Sequence, residues 1–448
     1  MSATQSLAAY VANANTEELP PWTLHEAKRT LINILGVSLS AAADSGSDAL
    51  IDWARDEDAA AKASVVGSSL RTSAFNAALV NGFLAHLQDY DDTHFPTVLH
   101  PTAPVWPAVL AAAEERGTSG RETLAAFVLG AEAACRVAMS VHPWHYDMGW
   151  HITGTAGVFG AAAGVGRVLG LGTGDMNMAI GIAGTFAAGV REVFGSHAKA
   201  MHPAKAASNG LQSAVLAARG FTGADDILGG RRGFWEVLSP NGHDETALLG
   251  GIGERWELAN NGLKPYANGV VSHPIQDAVI TLRNEHGIAP EDVAAINAEV
   301  NPLVLELMNR AEPRRGLEGK FSFQHCAAAA LVDGAGHDAQ FSDARVADPV
   351  VSAVRSRVSA VVDEAMREDE VRLSITLNSG AVHSIYVEHA TGSPENPMTD
   401  SALEAKYRSL ANEALPASQV EELLGAVWDL DAAPNVEQVA RLMAKAEG

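Results

Sequence analysis

Between His86 and Pro104 the chain reads HLQDYDDTHFPTVLHPTAP, with three aspartates and three histidines within nineteen residues. Residue types like these can hold a metal, transfer a phosphoryl group or run acid–base chemistry. The letters DYDDT match the DxDxT motif of phosphatases that use an aspartate nucleophile, with Asp89 as that nucleophile. That motif must end a hydrophobic strand, and the preceding AFNAALVNGFLAHLQ is a helix former. Asp89, Asp91, Asp92, His94 and His100 could bind a hard or borderline cation, but the stretch has no HxH or HxxxH pair to organise a shell. A plain helix end is the structural alternative, with aspartates capping backbone N–H groups and Pro96 and Pro101 fixing turns. One loop needs few such caps, so an acid–base cluster is the reading that uses the whole set.

Three other stretches carry related chemistry. REVFGSHAKAMHPAK (191–205) places Arg191, Lys199, Lys205, His197 and His202 against the single acid Glu192. A local reversal of sign in an acidic chain marks an anion pocket. Lys199 and His202, at i and i+3, would share a helical face. HPWHYDMGWHITGT (142–155) carries His142, His145, Tyr146 and His151 just before an Ala/Gly-rich helix whose first N–H groups can receive a carboxylate. LKPYANGVVSHPIQDA (263–278) carries Lys264 and His273 where the chain pattern changes, and clefts between domains favour ligands. P-loop, nucleophile-elbow and HExxH motifs are all missing. What remains is Asp/His/Lys acid–base chemistry on a small anion, without a covalent intermediate or nucleotide; a metalloenzyme is the alternative left open.

Composition narrows the partners. The 448 residues include 54 acidic and 31 basic side chains, a formal charge of −23. Such a balance disfavours nucleic acid and anionic membrane surfaces but leaves room for one basic pocket. Cys135 and Cys326 form no CxxC, so neither a disulfide framework nor a thiolate zinc site is expected, which suits a reducing cytoplasm. The N-terminus lacks a basic, then apolar, leader, and the most apolar stretches (152–166 and 176–190) are too short to span a bilayer.

The elements that position these residues are mostly helices. Helical periodicity runs through 73–88, 102–115, 121–140, 153–171 and 175–190, and Thr23 with Glu26 has capping-box spacing. Ala156, Gly160 and Gly164 recur every four residues, which suits close helix packing rather than dinucleotide binding. After about residue 263 the pattern becomes mixed. VAAINAEV (293–300) alternates like a strand, and 371–389 reads as a hairpin turning at Asn378-Ser379-Gly380. Helical segments are expected near 273–286, 320–332 and 348–362, and again over 396–415. The expected fold is therefore mainly α. A large all-helical domain (1–262 and 398–448) would carry an inserted, smaller α+β lid (263–397).

These segments, in this order, resemble the MmgE/PrpD family of 2-methylcitrate dehydratases, cis-aconitate decarboxylases and iminodisuccinate epimerases. The resemblance rests on NGFLAHLQDYDDTH…HPTAP, GWHITGTAGVFGAAA, HAKAMHPAKAASNG, LKPYANGVVSHPIQDA and KFSFQHCAAAALVDG, and it spans nearly the whole chain. It implies a helical domain with an α+β lid, a homodimer, and an active site in the cleft between the domains. Carried over position by position, it makes Asp89, Thr93, His100, His151, Lys199 and His273 the site residues. His325 stands where the family often has tyrosine, and Tyr146 resembles the placement of a tyrosine in the epimerase branch.

The implied activity is a cofactor-free lyase that dehydrates or decarboxylates a small di- or tricarboxylate. Lys199 with His100, and also His202, would neutralise substrate carboxylates, with Lys264 and His325 as further binding groups. His151 and His273 would transfer protons, Asp89 would orient an imidazole or the lysine, and Thr93 would donate to a carboxylate oxygen. An epimerase using Tyr146 and Lys199 as opposed bases is the alternative reaction. A non-catalytic carboxylate-binding protein is the alternative of another class.

Overall fold

The computed structural model describes residues 1–445 and is mainly α, with one four-stranded sheet. Helices Ala74–Leu87, Thr102–Arg116, Gly120–Met139 and Ile152–Val168 form where the periodicity places them. The small-residue stripe is why the last two approach so closely. A Cβ added at Gly160 would lie 2.5 Å from the Gly130 carbonyl, and one at Gly164 would lie 3.0 Å from that of Ala126. Helix Met201–Ala217 packs on Ile152–Val168 and on Ala74–Leu87, with a Cβ at Gly210 only 2.4 Å from the Ala161 side chain.

Two hydrophobic cores organise the chain. One gathers residues from Ala3 to Leu263 and again from Met398 to Met443. The other runs from Ala267 to Ile375 and takes in Val37, Tyr90 and Leu410. The sheet of this second core is ordered Val358–Val362, Val293–Val300, Val371–Leu377, Val382–Val387. The first pair is parallel and the other two are antiparallel. The hairpin closes as its residues dictate, with Thr376 opposite Val382 and Gly380 at φ +87° in the connecting turn.

Three local expectations are corrected. Residues 348–362 are not one helix: helix Pro349–Arg355 stops and Val358–Val362 becomes an edge strand, since β-branched residues prefer the pleated neighbour. The capping box at Thr23 and Glu26 does not form. The helix already begins at Pro21, Thr23 Oγ1 donates to the Pro20 carbonyl at 2.8 Å, and Glu26 pairs with Arg29 at 3.1 Å. Helix 175–190 is shorter, Thr173–Ala183 with one 3-10 turn after it, and the chain then opens into the loop that leads to Lys199. Among the described residues no helix is long and apolar enough to cross a membrane.

Candidate active site

Helix Ala74–Leu87 ends just before the acidic run, with Gln88 as its C-cap. Asp89 then adopts φ +52°, a left-handed conformation unusual for a residue with a side chain. Residues 92–94 pair as a short strand with Asn261–Leu263, which brings Lys264 to the same place. His100 precedes helix Thr102–Arg116, and its N–H donates to Thr153 Oγ1 at 3.2 Å. His151 is the N-cap residue of helix Ile152–Val168, and Lys199 ends a 3-10 turn before helix Met201–Ala217. Asp89, Thr93, His100, Tyr146, His151, Lys199 and Lys264 thus line one buried cavity of about 40 Å³, walled by apolar groups including Phe194, Met308 and Phe321.

The centre of this cavity is one carboxylate between two lysines. Asp89 Oδ2 lies 2.9 Å from Lys199 Nζ and Asp89 Oδ1 lies 2.7 Å from Lys264 Nζ. Burial pushes the Asp89 carboxyl up, but the two ammonium groups and the neighbouring imidazoles hold it well below the usual carboxylate range. Lys199 is pulled down from its ordinary value by burial and by Lys264, while Asp89 opposes that fall. Its Nζ lies 5.2 Å from the ring centres of both Phe194 and Phe321, so the charge rests on two aromatic faces. Val98, also on the cavity wall, adopts φ +51°, and strain of this kind at a β-branched residue concentrates at functional sites.

Beside the lysines stands a group of four imidazoles, those of His86, His100 and His151 buried and that of His202 half-buried. Asp91 Oδ2 bonds His86 Nδ1 at 2.7 Å, and Asp91 Oδ1 lies 3.1 Å from His100 Nδ1. The first contact makes His86 Nδ1 the protonated nitrogen and leaves its Nε2 buried without a partner. His151 Nδ1 meets His202 Nδ1 at 2.9 Å, and the His86 and His151 rings stack with centres 5.6 Å apart. Burial lowers all four: His86 and His202 to about 4, His100 below its ordinary value, and His151 well below it. At neutral pH they are neutral imidazoles, able to accept a proton. Thr93 Oγ1 is buried without a partner on the cavity wall, a free donor for an anion.

Tyr146 also lines the cavity, with the Arg191 guanidinium carbon 4.2 Å from its ring centre. Burial raises its pKa and Arg191 works against that rise. Three sequence candidates do not reach the cavity wall. His202 touches it only through His151. His273 sits one layer back, with Nε2 3.3 Å from the Asn268 carbonyl and its ring against Tyr266. His325 is inside the second core, bonded through Nε2 to the Gln340 carbonyl at 2.9 Å. Two further participants are not among the sequence candidates for the site: His86, and Asp91, which orients His86 and His100. Their spacing, i and i+5 across a helix end, was visible in the acidic stretch.

A metal does not suit this donor set. His86, Asp89, Asp91 and His100 offer ligand atoms within 4.8 Å of one another. Yet Asp89 is already neutralised by two ammonium groups at 2.7 and 2.9 Å, and a divalent cation would have to displace both against like-charge repulsion. The other acidic residues of the stretch are structural. Asp92 accepts from Thr102 Oγ1 at 2.6 Å and Asn261 Nδ2 at 2.8 Å, and His94 bridges Thr97 and Glu257.

The chain matches known proteins along nearly its whole length. Residues 5–246 match the MmgE/PrpD N-terminal domain and residues 266–431 the MmgE/PrpD C-terminal domain. A cis-aconitate decarboxylase of Aspergillus terreus is 25% identical, over 98% of this chain and 95% of its own. Those of Mus musculus and Homo sapiens are also 25% identical, over 99% and 96% of this chain and 93% and 92% of theirs. With both domains of the family represented in order over most of its length, the chain belongs to the MmgE/PrpD family.

Proposed function

We propose that this protein is a cofactor-free lyase that decarboxylates or dehydrates a small di- or tricarboxylate of the cis-aconitate or 2-methylcitrate kind. The observation that carries this reading is the pair of lysines held on Asp89 in a cavity also lined by His100, His151, Thr93 and Tyr146. Names of relatives favour decarboxylation over dehydration, since those of three organisms are cis-aconitate decarboxylases.

The proposed chemistry follows from charge. Loss of CO₂ leaves the electron pair of the broken C–C bond on carbon, to be taken up by a proton. Dehydration begins by removing a proton from the carbon next to a carboxylate and ends as hydroxide leaves with a proton from an acid. In both, the negative charge must be balanced where it develops. Lys199 and Lys264 supply positive charge, and Thr93 supplies a neutral donor. An entering polyanion raises the pKa of every group it faces, so imidazoles that are neutral in the empty site gain affinity for a proton as substrate binds. His151 and His100 line the cavity and are the proton-transfer groups in this proposal; His202 and His86 orient them. The cavity is small, about 40 Å³, and three aromatic or thioether side chains, Phe194, Met308 and Phe321, stand in its wall. In this proposal the 263–397 segment, which we read as the lid, moves aside as substrate enters.

Epimerisation is the second reading, favoured by one observation: Tyr146 and Lys199 line the same cavity. We further propose a homodimer, as the family resemblance implies. The test of the acid–base assignment is substitution. Lys199→Ala and His151→Ala should each lower kcat/KM by about 10²–10⁴-fold in the folded protein, and retention of full activity by both would contradict the assignment.

A further inference from the structure

The turn that carries Asp89 is gripped at three successive carbonyl oxygens by three different lysines. Lys320 Nζ donates to the Gln88 carbonyl at 2.6 Å, Lys264 Nζ to that of Asp89 at 3.1 Å, and Lys406 Nζ to that of Tyr90 at 3.0 Å. The three come from distant parts of the chain: the end of strand Asn261–Leu263, the end of the short helix Gly316–Gly319, and helix Asp400–Ala411. All three side chains are buried.

Each ammonium ties the turn to something else. Lys320 also donates to the Ala267 carbonyl at 3.1 Å and to Asp338 Oδ1 at 2.5 Å. Lys406 also donates to the Lys264 carbonyl at 2.7 Å and to Asn33 Oδ1 at 2.7 Å, so it fixes the backbone of another cavity lysine as well. None of its three acceptors is a carboxylate, and its Nζ lies 3.5 Å from the Tyr90 ring centre. A buried ammonium without a carboxylate is costly to keep. Carbonyls at the end of a helix are ordinarily satisfied by water or a glycine cap. Three lysines spent on one turn exceed what ending a helix requires.

We propose that Lys320 and Lys406 are positioning residues: they hold the Gln88–Tyr90 turn in its left-handed conformation, so that Asp89 can grip Lys199 and Lys264 at the cavity. The proposal rests on reading that cavity as the active site. Neither residue touches the cavity wall; both act through Asp89 and Lys264. Lys320 links the turn to the second core, and Lys406 links it to the C-terminal helices.

The test reads Lys199 directly. Lys199 faces Asp89 and Asp91, which raise its pKa, and Lys264, His86, His100, His151 and His202, which do not. Loosening Asp89 therefore moves the Lys199 titration to lower pH. We would follow it by NMR of protein labelled with ε-¹³C-lysine, with the Lys199 signal assigned from Lys199→Met. Lys320→Met and Lys406→Met should each shift that titration down and lower kcat/KM by about 10²-fold, the loss expected of a misplaced catalytic group. The control is Lys28→Met, which also removes a lysine from a backbone carbonyl (Trp428, 2.7 Å) and should leave the Lys199 titration alone. Should either methionine variant not fold, Asp338→Asn and Asn33→Ala each remove one anchor of the same ammonium and should shift Lys199 the same way. Folded variants in which Lys199 titrates as in the unaltered protein would overturn the proposal. An unaltered protein that transforms no acid would instead overturn the lyase reading, and the titration result would still stand.

Discussion

Asp89 and Lys199 form a buried ion pair, 2.9 Å between Oδ2 and Nζ, in which the acid comes from a strained turn and the base from a separate helix start. The other oxygen of Asp89 holds Lys264. One carboxylate thus sets the place of two cations, and the proposed mechanism uses both.

Replacing Asp89 by Asn should therefore harm stability and activity together. Removing one member of a buried pair strands the partner, which costs about 3–5 kcal/mol, and here two ammonium groups are stranded. The folded carboxyl titrates below its unfolded value, so its contribution is present above about pH 4 and is lost as pH falls through the lower, folded value. Urea unfolding should show a large deficit in Asp89→Asn at pH 7 and a smaller one near the acid limit. Equal stability of the two proteins at pH 7 would contradict the geometry.

The imidazole cluster predicts a second pH dependence. His86 and His202 titrate at about 4 in the folded protein and His273 at about 3. The unfolded chain binds protons on these groups below about pH 6.5, whereas the folded one does not. Their contribution is present above that value and is lost as pH falls toward 4. The melting temperature should be flat above neutrality and should fall steadily below pH 6.5, with a gentler slope in His202→Gln. A melting temperature independent of pH between 7 and 5 would count against neutral buried imidazoles.

Much of this architecture was legible in the residues, because helices with strong apolar periodicity and the small-residue stripe at Ala156, Gly160 and Gly164 leave few alternatives. Strand Val358–Val362 was missed because its pairing partner, Val293–Val300, lies far away in sequence. The cavity was legible as a set of separated motifs. How they join was not: that Asp89 takes the lysines while Asp91 takes the imidazoles depends on one left-handed residue between helix and strand. Lys320 and Lys406 carry no local signal at all, since their meaning lies in carbonyls more than 200 residues away.

His325 tests how far position-by-position transfer can be taken. It stands where the family often has tyrosine, yet it bonds the Gln340 carbonyl away from the cavity. His325→Leu should cost about 1–3 kcal/mol for the unpartnered carbonyl while leaving kcat/KM near that of the unaltered protein. A loss of turnover without loss of stability would bring His325 back among the substrate-binding groups.

Tyr146 separates the two reactions. In a lyase that relies on Lys199 and the imidazoles, Tyr146→Phe retains most of the turnover, because the ring still covers the cavity and packs against Arg191. In an epimerase with Tyr146 as one of two opposed bases, the same change abolishes exchange of the α-proton. Comparing the rates of product formation and of solvent exchange in this variant decides between them.

The most direct test of the central claim is proton NMR in D₂O of the protein incubated separately with cis-aconitate, 2-methylcitrate, citrate, tartrate and iminodisuccinate. A cofactor-free lyase should remove CO₂ or water from one of these acids, cis-aconitate first, without added metal. Deuterium entering Cα with no elimination, or no change in any of the five, would contradict it.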